Sequence, residues 1–469
     1  MGPAPSSVRS GQRAPPPTPL EPTSIGRALE PTPTRRAVAG DASTQPPARG
    51  VTCAALVGYL VDPFDSETFE LRVKNALPEL FSPNATVLPY LLPGQDALGK
   101  VERVTKRGAK LGRFRENQSR ASDDRLVLGH QVYTLLSAAG TGADAVVFEG
   151  ERCFEDNDCD DPDENAEEDD EHRGAHAVKV QRASLATWEW IISTRLAQRI
   201  GEWDAPGYVR LSSLHLVGGE ASGDILNTAA SAKVGIAVMP FGEHGTLQDA
   251  LNSYLRVGEK MEEVLVMYYA VELLRVVERM HQCGVLHLDI KPDNILLRNG
   301  GEKWRDWAGR RPGCWREKGV ALIDFGCAVD LGEYAESVSF VGDVKTEGFR
   351  CPEMIEGRPW TFQGDTYQVA ATVHTLLHGK YMRVTRGEQG YVPVEPLRRW
   401  WKRDLWTVFF STLLNLETRA LNDPPPLGQL RRTFENYLEM EQMGGKIREA
   451  LMRQTVAMYD QAREAEAKR

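Results

Sequence analysis

The chain has 469 residues, 41% hydrophobic and 26% charged, and its longest apolar run, Val51–Val61, falls far short of the ~20 residues a membrane helix needs. That composition excludes a collagen, a wholly disordered chain and a bundle of membrane helices. The formal charge of −10 is local: Glu151–His172 carries thirteen acids and one Arg, so the remainder is slightly basic. A uniformly basic nucleic-acid binder, and with it a direct nucleic-acid site, is not expected.

Residues 1–50 hold eleven of the 28 prolines and no aromatic residue. Such a segment buries too little apolar surface to offset its ordering entropy and reads as a disordered tail. Its Arg-, Ser- and Ala-rich composition also fits an organelle transit peptide. Residues 51–125 read as an extension in which Leu71, Val73, Leu77 and Leu80 give a short helix that docks on something larger. Residues 126–139 and 143–150 alternate in strand fashion around a Gly-bearing turn. The acidic run 151–172 reads as a solvated insert. A strand at 176–180, a helix at 186–201 and a strand at 234–241 follow. Met261–Gln282 is a long apolar-periodic helix, the chain beyond it reads as largely helical to about Met440, and 441–469 is a charged terminal helix.

The seven cysteines form no Cys-x-x-Cys pair, which fits a reducing compartment better than a disulfide framework, and no His-Glu-x-x-His zinc motif is present. The chemistry concentrates in His287–Asn294. Phosphoryl transfer needs a carboxylate to orient the attacking hydroxyl, a cation on the moving phosphoryl group and a metal ligand nearby. Asp289, Lys291 and Asn294 supply all three within six residues. Asp324, at the end of an apolar strand and followed by Phe325-Gly326, is the expected second metal ligand. Upstream, Lys179 closes a strand and can reach the α/β-phosphates, with Glu189 placed to hold it by an ion pair. Gly140 and Gly142 let backbone amides approach phosphate, although Ala145 stands where a third Gly is usual. Each piece alone has a bland reading, as a turn, a strand-end lysine or a helix-surface acid. Their order is what carries information.

That order resembles the eukaryotic protein kinases over about residues 126–440. The resemblance implies an α+β bilobal fold, with a small β-rich N-lobe (126–242) holding one key helix and a larger helical C-lobe (243–440). It implies ATP and Mg2+ as cofactors, with Lys179, Glu189, Asp289 and Lys291 catalytic and Asn294 and Asp324 on the metal. It places Met239 at the back of the adenine pocket, Pro240 and Gly242 in the hinge, and Ala177 and Leu296 on either side of the base. It sets Thr346 beside Asp289, and Cys351-Pro352-Glu353 at the end of the activation segment. Asp365 becomes a buried brace of the catalytic loop. Leu288 replaces the usual phosphate-neutralising Arg before Asp289, so ordering of the activation segment is not expected to depend on phosphorylation. The insert 301–319, with three Trp among Arg and Lys, reads as a local hairpin packing its own Trp residues or as a docking surface for an acidic partner.

More narrowly, the stretches 62–65, 176–190, 346–360 and above all Val369–Met382 look like the spindle-checkpoint serine/threonine kinases named for budding uninhibited by benzimidazole. That family implies an extension wrapping the small lobe, a nuclear kinetochore or centromere location, checkpoint proteins as partners and a histone tail as substrate. The family's N-terminal helical-repeat domain has no counterpart here. Two other readings stand beside this one: a pseudokinase scaffold, and a general cytoplasmic signalling kinase.

Overall fold

The computed structural model describes residues 60–467, apart from 83–88, 93–97, 100, 104, 107–124, 129–130, 143, 154–174, 221, 300–303, 310–317 and 345. The tail 1–50 and nearly all of the acidic insert lie outside the described residues. No helix among those described is long and apolar enough to cross a membrane.

The extension opens with β1 (Leu60–Val61), the helix α1 (Ser66–Ala76) and β2 (Tyr90–Leu92). The small lobe follows as β3 (Arg125–Leu128), β4 (Gln131–Thr141), β5 (Ala145–Cys153), β6 (His176–Arg182), α2 (Ala183–Arg199), β7 (Ser213–Val217) and β8 (Val234–Pro240). These strands form one seven-stranded sheet in the order β2-β7-β8-β6-β5-β4-β3. Residues 126–139, read from the sequence as one strand, belong to two, because the chain reverses after Leu128.

Alternation along β6 and β8 divides the sheet into two faces. Val178, Val180, Ile236 and Val238 point to one core, which Leu98 and Val101 of the extension cover. Ala177, Ala237 and Met239 point the other way, toward α2. Gly235 makes that packing possible, since a Cβ there would stand 2.3 Å from the Cβ of Ala186 on α2.

The large lobe contains α3 (Leu247–Arg256), α4 (Glu263–Gln282), β9 (Val285–Leu286), β10 (Ile295–Asn299), β11 (Lys318–Leu322), β12 (Val329–Asp330), β13 (Ser339–Phe340), α5 (Gln363–His378), β14 (Val384–Gly387), β15 (Gly390–Pro393), α6 (Arg403–Leu414), α7 (Leu427–Met440) and α8 (Gly444–Ala467). Every residue of α5 is buried, so this helix is the axis on which the lobe is built. The β14–β15 hairpin interrupts the helical run expected after Met261. Gly390, at φ +116°, makes the turn, and Asn415 holds the hairpin by bonding the backbone N–H and C=O of Tyr391.

The extension docks on both lobes. Asp65 caps α1 by accepting from the Thr68 N–H at 2.9 Å. α1 buries Val73 and Ala76, with Leu77 and Leu80 just beyond. Leu71, expected on the docking face, is half exposed, and Arg72 is buried in its place. The Arg72 guanidinium lies 4.8 Å over the Trp188 ring and donates to the Pro63 carbonyl at 2.6 Å, which lets a cation occupy an apolar contact. β1 pairs in parallel with β13, joining Leu60 to Ser339 and Val61 to Phe340.

The insert 301–319 does not keep its tryptophans to itself. Trp304 lies over the Lys318 ammonium, but Trp307 is buried against α8 and donates its backbone N–H to the Gly444 carbonyl. Arg448 of α8 pairs with Asp306 at 2.6 Å. The described part of the insert is thus a strut for the C-terminal helix.

Burial leaves three histidines hard to protonate. His215 on β7, stacked 4.8 Å from Tyr90, is pulled down to about 4 by burial alone. Burial likewise pulls His374 to about 4 and His378 to about 3. An unfolded histidine titrates near 6.5, so between about pH 6.5 and 4 the unfolded chain binds more protons than the folded one. Stability is therefore expected to rise with pH across that window and to be lost as the solution is acidified through it. Thermal melts between about pH 7 and 5 should show a shallower slope for His215→Phe, which keeps the ring stack. Equal slopes would mean that His215 titrates normally in the folded state.

Candidate active site

Lys179 sits on the α2-facing side of β6, and Glu189 on the second turn of α2. The Lys179 Nζ lies 2.8 and 3.1 Å from the two Glu189 oxygens and 2.8 Å from Asp324 Oδ1. Lys179 is 4% exposed and Glu189 2%. Burial alone would lower the lysine, but Asp324 and Glu189 outweigh it and hold the ammonium above its ordinary value. Burial would in turn raise Asp324, yet Lys179 holds it below the usual carboxylate range. Gln181 donates to Glu189 Oε2 at 2.7 Å and fixes its second lone pair.

Asp324 adopts φ +66°, a left-handed conformation unusual for a residue other than Gly, and accepts from the Gly326 N–H at 3.4 Å. Phe325 turns inward and packs 4.8 Å from the His287 ring. His287 accepts the Asp289 N–H on Nδ1 at 3.2 Å and so donates from Nε2 to the Ile323 carbonyl at 3.0 Å. One imidazole thereby ties the loop bearing Asp289 to the strand end bearing Asp324.

Asp289 is the hub of the second cluster. Lys291 Nζ reaches its oxygens at 2.9 and 3.1 Å, Thr346 Oγ1 donates to Oδ1 at 2.8 Å, and Asn294 Nδ2 donates to Oδ2 at 2.7 Å. Burial would lower Lys291, but Asp289 raises it, so the ammonium is firmly charged. Because the Asn294 amide nitrogen is committed to Asp289, its oxygen remains as an acceptor. Asp324 and Asn294 thus offer hard oxygen donors of the kind Mg2+ prefers.

The loop is held from behind by Asp365, which is fully buried. It accepts from the backbone N–H of His287 at 2.9 Å and of Leu288 at 2.7 Å, and from His281 Nε2 at 2.9 Å. Burial would raise its pKa, but the hydrogen bond and charge of His281 lower it. Leu288 has φ +62° and no exposed surface, so it takes a strained backbone conformation that Asp365 stabilises. One turn along α5, Gln368 accepts the Ile290 N–H at 2.7 Å and donates to the Leu288 carbonyl at 3.0 Å.

The residues expected around adenine also come together. Ala177 on β6 pairs in register with Met239 on β8, and both are buried. Pro240 ends β8 and is exposed. A Cβ on Gly242 would stand 2.8 Å from Leu296, so the hinge touches the C-lobe residue expected beneath the base. Gly140 is the penultimate residue of β4, and the Gly142 N–H donates to the Ala145 carbonyl at 2.8 Å. A Cβ on Gly140 would meet nothing within 4 Å, so packing does not demand glycine there.

Gln181, Gln368 and Trp188 were not singled out from the sequence. Trp188 donates to the Ala328 carbonyl at 2.8 Å, just after Asp324. The available signals were weak ones: Gln181 alternates with Lys179 along a strand, and Gln368 follows Asp365 by three residues on a helix.

Comparison with known proteins bears on the whole arrangement. Residues 225–393 match the protein kinase domain model. The chain is 34% identical over 338 residues to the mitotic checkpoint serine/threonine-protein kinase BUB1 of Arabidopsis thaliana, covering 71% of this chain and 58% of that protein. It is 33% identical over 272 residues to the mouse protein of that name, covering 58% of this chain and 23% of that one. The chain therefore spans just over half of the first relative and about a quarter of the second. In structure it matches the BubR1 kinase domain with a TM-score of 0.62 at 23% identity, over 85% of this chain and 99% of that one, which bears on fold alone. The chain carries a protein kinase domain in the bilobal fold, and it resembles the mitotic checkpoint serine/threonine kinases.

Proposed function

We propose that this chain is an active serine/threonine protein kinase that uses ATP with Mg2+, and that it acts in the mitotic spindle checkpoint. The observation that carries the reading is the joining of Lys179, Glu189 and Asp324 into one ion-paired triad across 145 residues of sequence. Lys179 would hold the α/β-phosphates, positioned by Glu189. Asn294 and Asp324 would hold magnesium, which supplies charge neutralisation across the phosphate oxygens. Asp289 orients the substrate hydroxyl, and Lys291 lies where charge develops on the transferred group. Positioning and preorganised electrostatics do most of this catalysis. All six of these positions are filled by competent residues, which favours an enzyme over a pseudokinase scaffold.

Serine/threonine selectivity rests on Lys291 in the catalytic loop, as the resemblance implies. A protein substrate, with a histone tail the first to try, checkpoint or kinetochore partners and a kinetochore location belong to the same proposal.

The direct test is incorporation of the γ-phosphate of ATP into a serine/threonine substrate in the presence of Mg2+. Lys179→Arg keeps the charge but cannot make the same compact contacts, and is expected to lower kcat/KM roughly a hundredfold. A wild-type chain that binds Mg–ATP yet transfers no phosphate would leave the scaffold reading in its place. For the checkpoint role, a tagged chain should concentrate at centromeres during mitosis, and diffuse signal throughout would favour a signalling kinase outside mitosis.

A further inference from the structure

One stripe of α2 faces the segment that follows Asp324. Trp188, Arg195 and Arg199, spaced by seven and four residues, share that face. Trp188 donates to the Ala328 carbonyl at 2.8 Å. Arg195 Nη1 lies 3.0 Å from Asp330 Oδ2 and 2.7 Å from Glu333 Oε1. Arg199 reaches both oxygens of Asp330 at 2.8 Å. Arg195 also meets Glu79, just beyond α1, at 2.7 Å.

Asp330 is a fixed anchor. It belongs to β12, which pairs with β9, the strand that leads into the Asp289 loop. Its side chain is 2% exposed and also accepts the Gly332 N–H at 3.0 Å. Two guanidiniums share this buried carboxylate, and such charge-assisted pairs are among the stronger polar contacts. The helix they belong to is the one that presents Glu189 to Lys179. A helix behaves as a rigid rod over two turns, so fixing Arg195 fixes Glu189.

The sign of the charges matters. Where an arginine before the catalytic aspartate would await a phosphate, this chain has Leu288, buried without charge. The cations are instead on α2, and the negative charge is a carboxylate encoded in the sequence. We infer that Arg195, clasping Asp330 and Glu333 with Arg199 beside it, is the positioning residue that holds Glu189 against Lys179, with no phosphate on the activation segment required. This rests on the kinase reading and adds the residue that sets its competent state.

The test uses the full chain after phosphatase treatment. Wild-type activity should survive that treatment, and its loss would overturn the inference. Arg195→Met keeps the apolar stem and removes the charge. It should lower kcat roughly tenfold in the wild-type background but less than twofold when Glu189→Gln is already present, because the effect passes through Glu189. An equal loss in both backgrounds would show a merely structural role. Arg195→Lys should recover part of the rate. If the wild type transfers no phosphate at all, the kinase reading falls, and hydrogen exchange still judges the latch. Amides of 183–199 should then exchange faster in Arg195→Met than in wild type, and unchanged exchange would overturn it. Should Arg195→Met fail to fold, Glu333→Gln, which removes one of its partners, should give the same pattern at smaller amplitude, and no change in rate or exchange would count against the latch.

Discussion

Asp289→Asn is expected to abolish nearly all phosphoryl transfer while leaving the fold and nucleotide binding intact. The carboxylate of Asp289 accepts from Lys291, Thr346 and Asn294 at 2.7–3.1 Å. An amide of the same shape keeps part of that hydrogen-bonding pattern but loses the charge. It can neither draw a substrate hydroxyl into line nor take its proton, a role worth typically 10²–10⁴-fold. We therefore expect kcat to fall about a thousandfold with KM for ATP nearly unchanged, because the nucleotide contacts assigned to Lys179, Asp324 and the hinge lie elsewhere. Single-turnover transfer from labelled ATP, set beside a thermal-shift titration with Mg–ATP, reads both quantities. Equal rates for wild type and variant would remove Asp289 from the mechanism and the enzyme reading with it.

Asp365→Ala should carry the largest loss of stability. This fully buried carboxylate is shared by the His287 and Leu288 backbone N–H groups and by His281. Removing it leaves two buried amide donors and one imidazole without their acceptor, and frees Leu288 to leave its left-handed conformation. Breaking one side of such a buried charged network costs about 3–5 kcal/mol. Urea denaturation should show a markedly lower midpoint. Asp365→Asn, which keeps one acceptor oxygen, should fall between wild type and Ala. Activity should drop with either variant, because Asp289 is one residue beyond the braced amides. A midpoint unchanged in Asp365→Ala would show that Gln368 alone supports the loop.

The site was legible in the sequence where function demands a residue type at a fixed spacing. Asp289, Lys291 and Asn294 lie within one loop, and Asp324 is followed by the Phe-Gly that its turn requires. The strands and the two central helices were legible for a similar reason, since periodicity is local. What stayed hidden was non-local. No pattern in Leu60–Val61 announces a parallel pairing with Ser339–Phe340, because a two-residue bridge leaves no periodic trace. Nothing in the sequence marks Arg72 for burial, which its position over the Trp188 ring explains. The β14–β15 hairpin did carry a signal, with Gly387 and Gly390 between β-branched and aromatic residues, but it sits within a run dominated by helical periodicity.

The pairing of β1 with β13 also bears on how the molecule is made. Its two partners lie about 280 residues apart, so at 5–20 residues per second a ribosome delivers the second roughly 15–60 seconds after the first. Phe64 likewise stacks on Trp360, another late arrival. During that interval the nascent extension carries apolar side chains whose docking surface has yet to be synthesised. Production of this protein should therefore depend on chaperone capacity, and a message cut short before residue 340 would yield a sticky fragment rather than a smaller kinase.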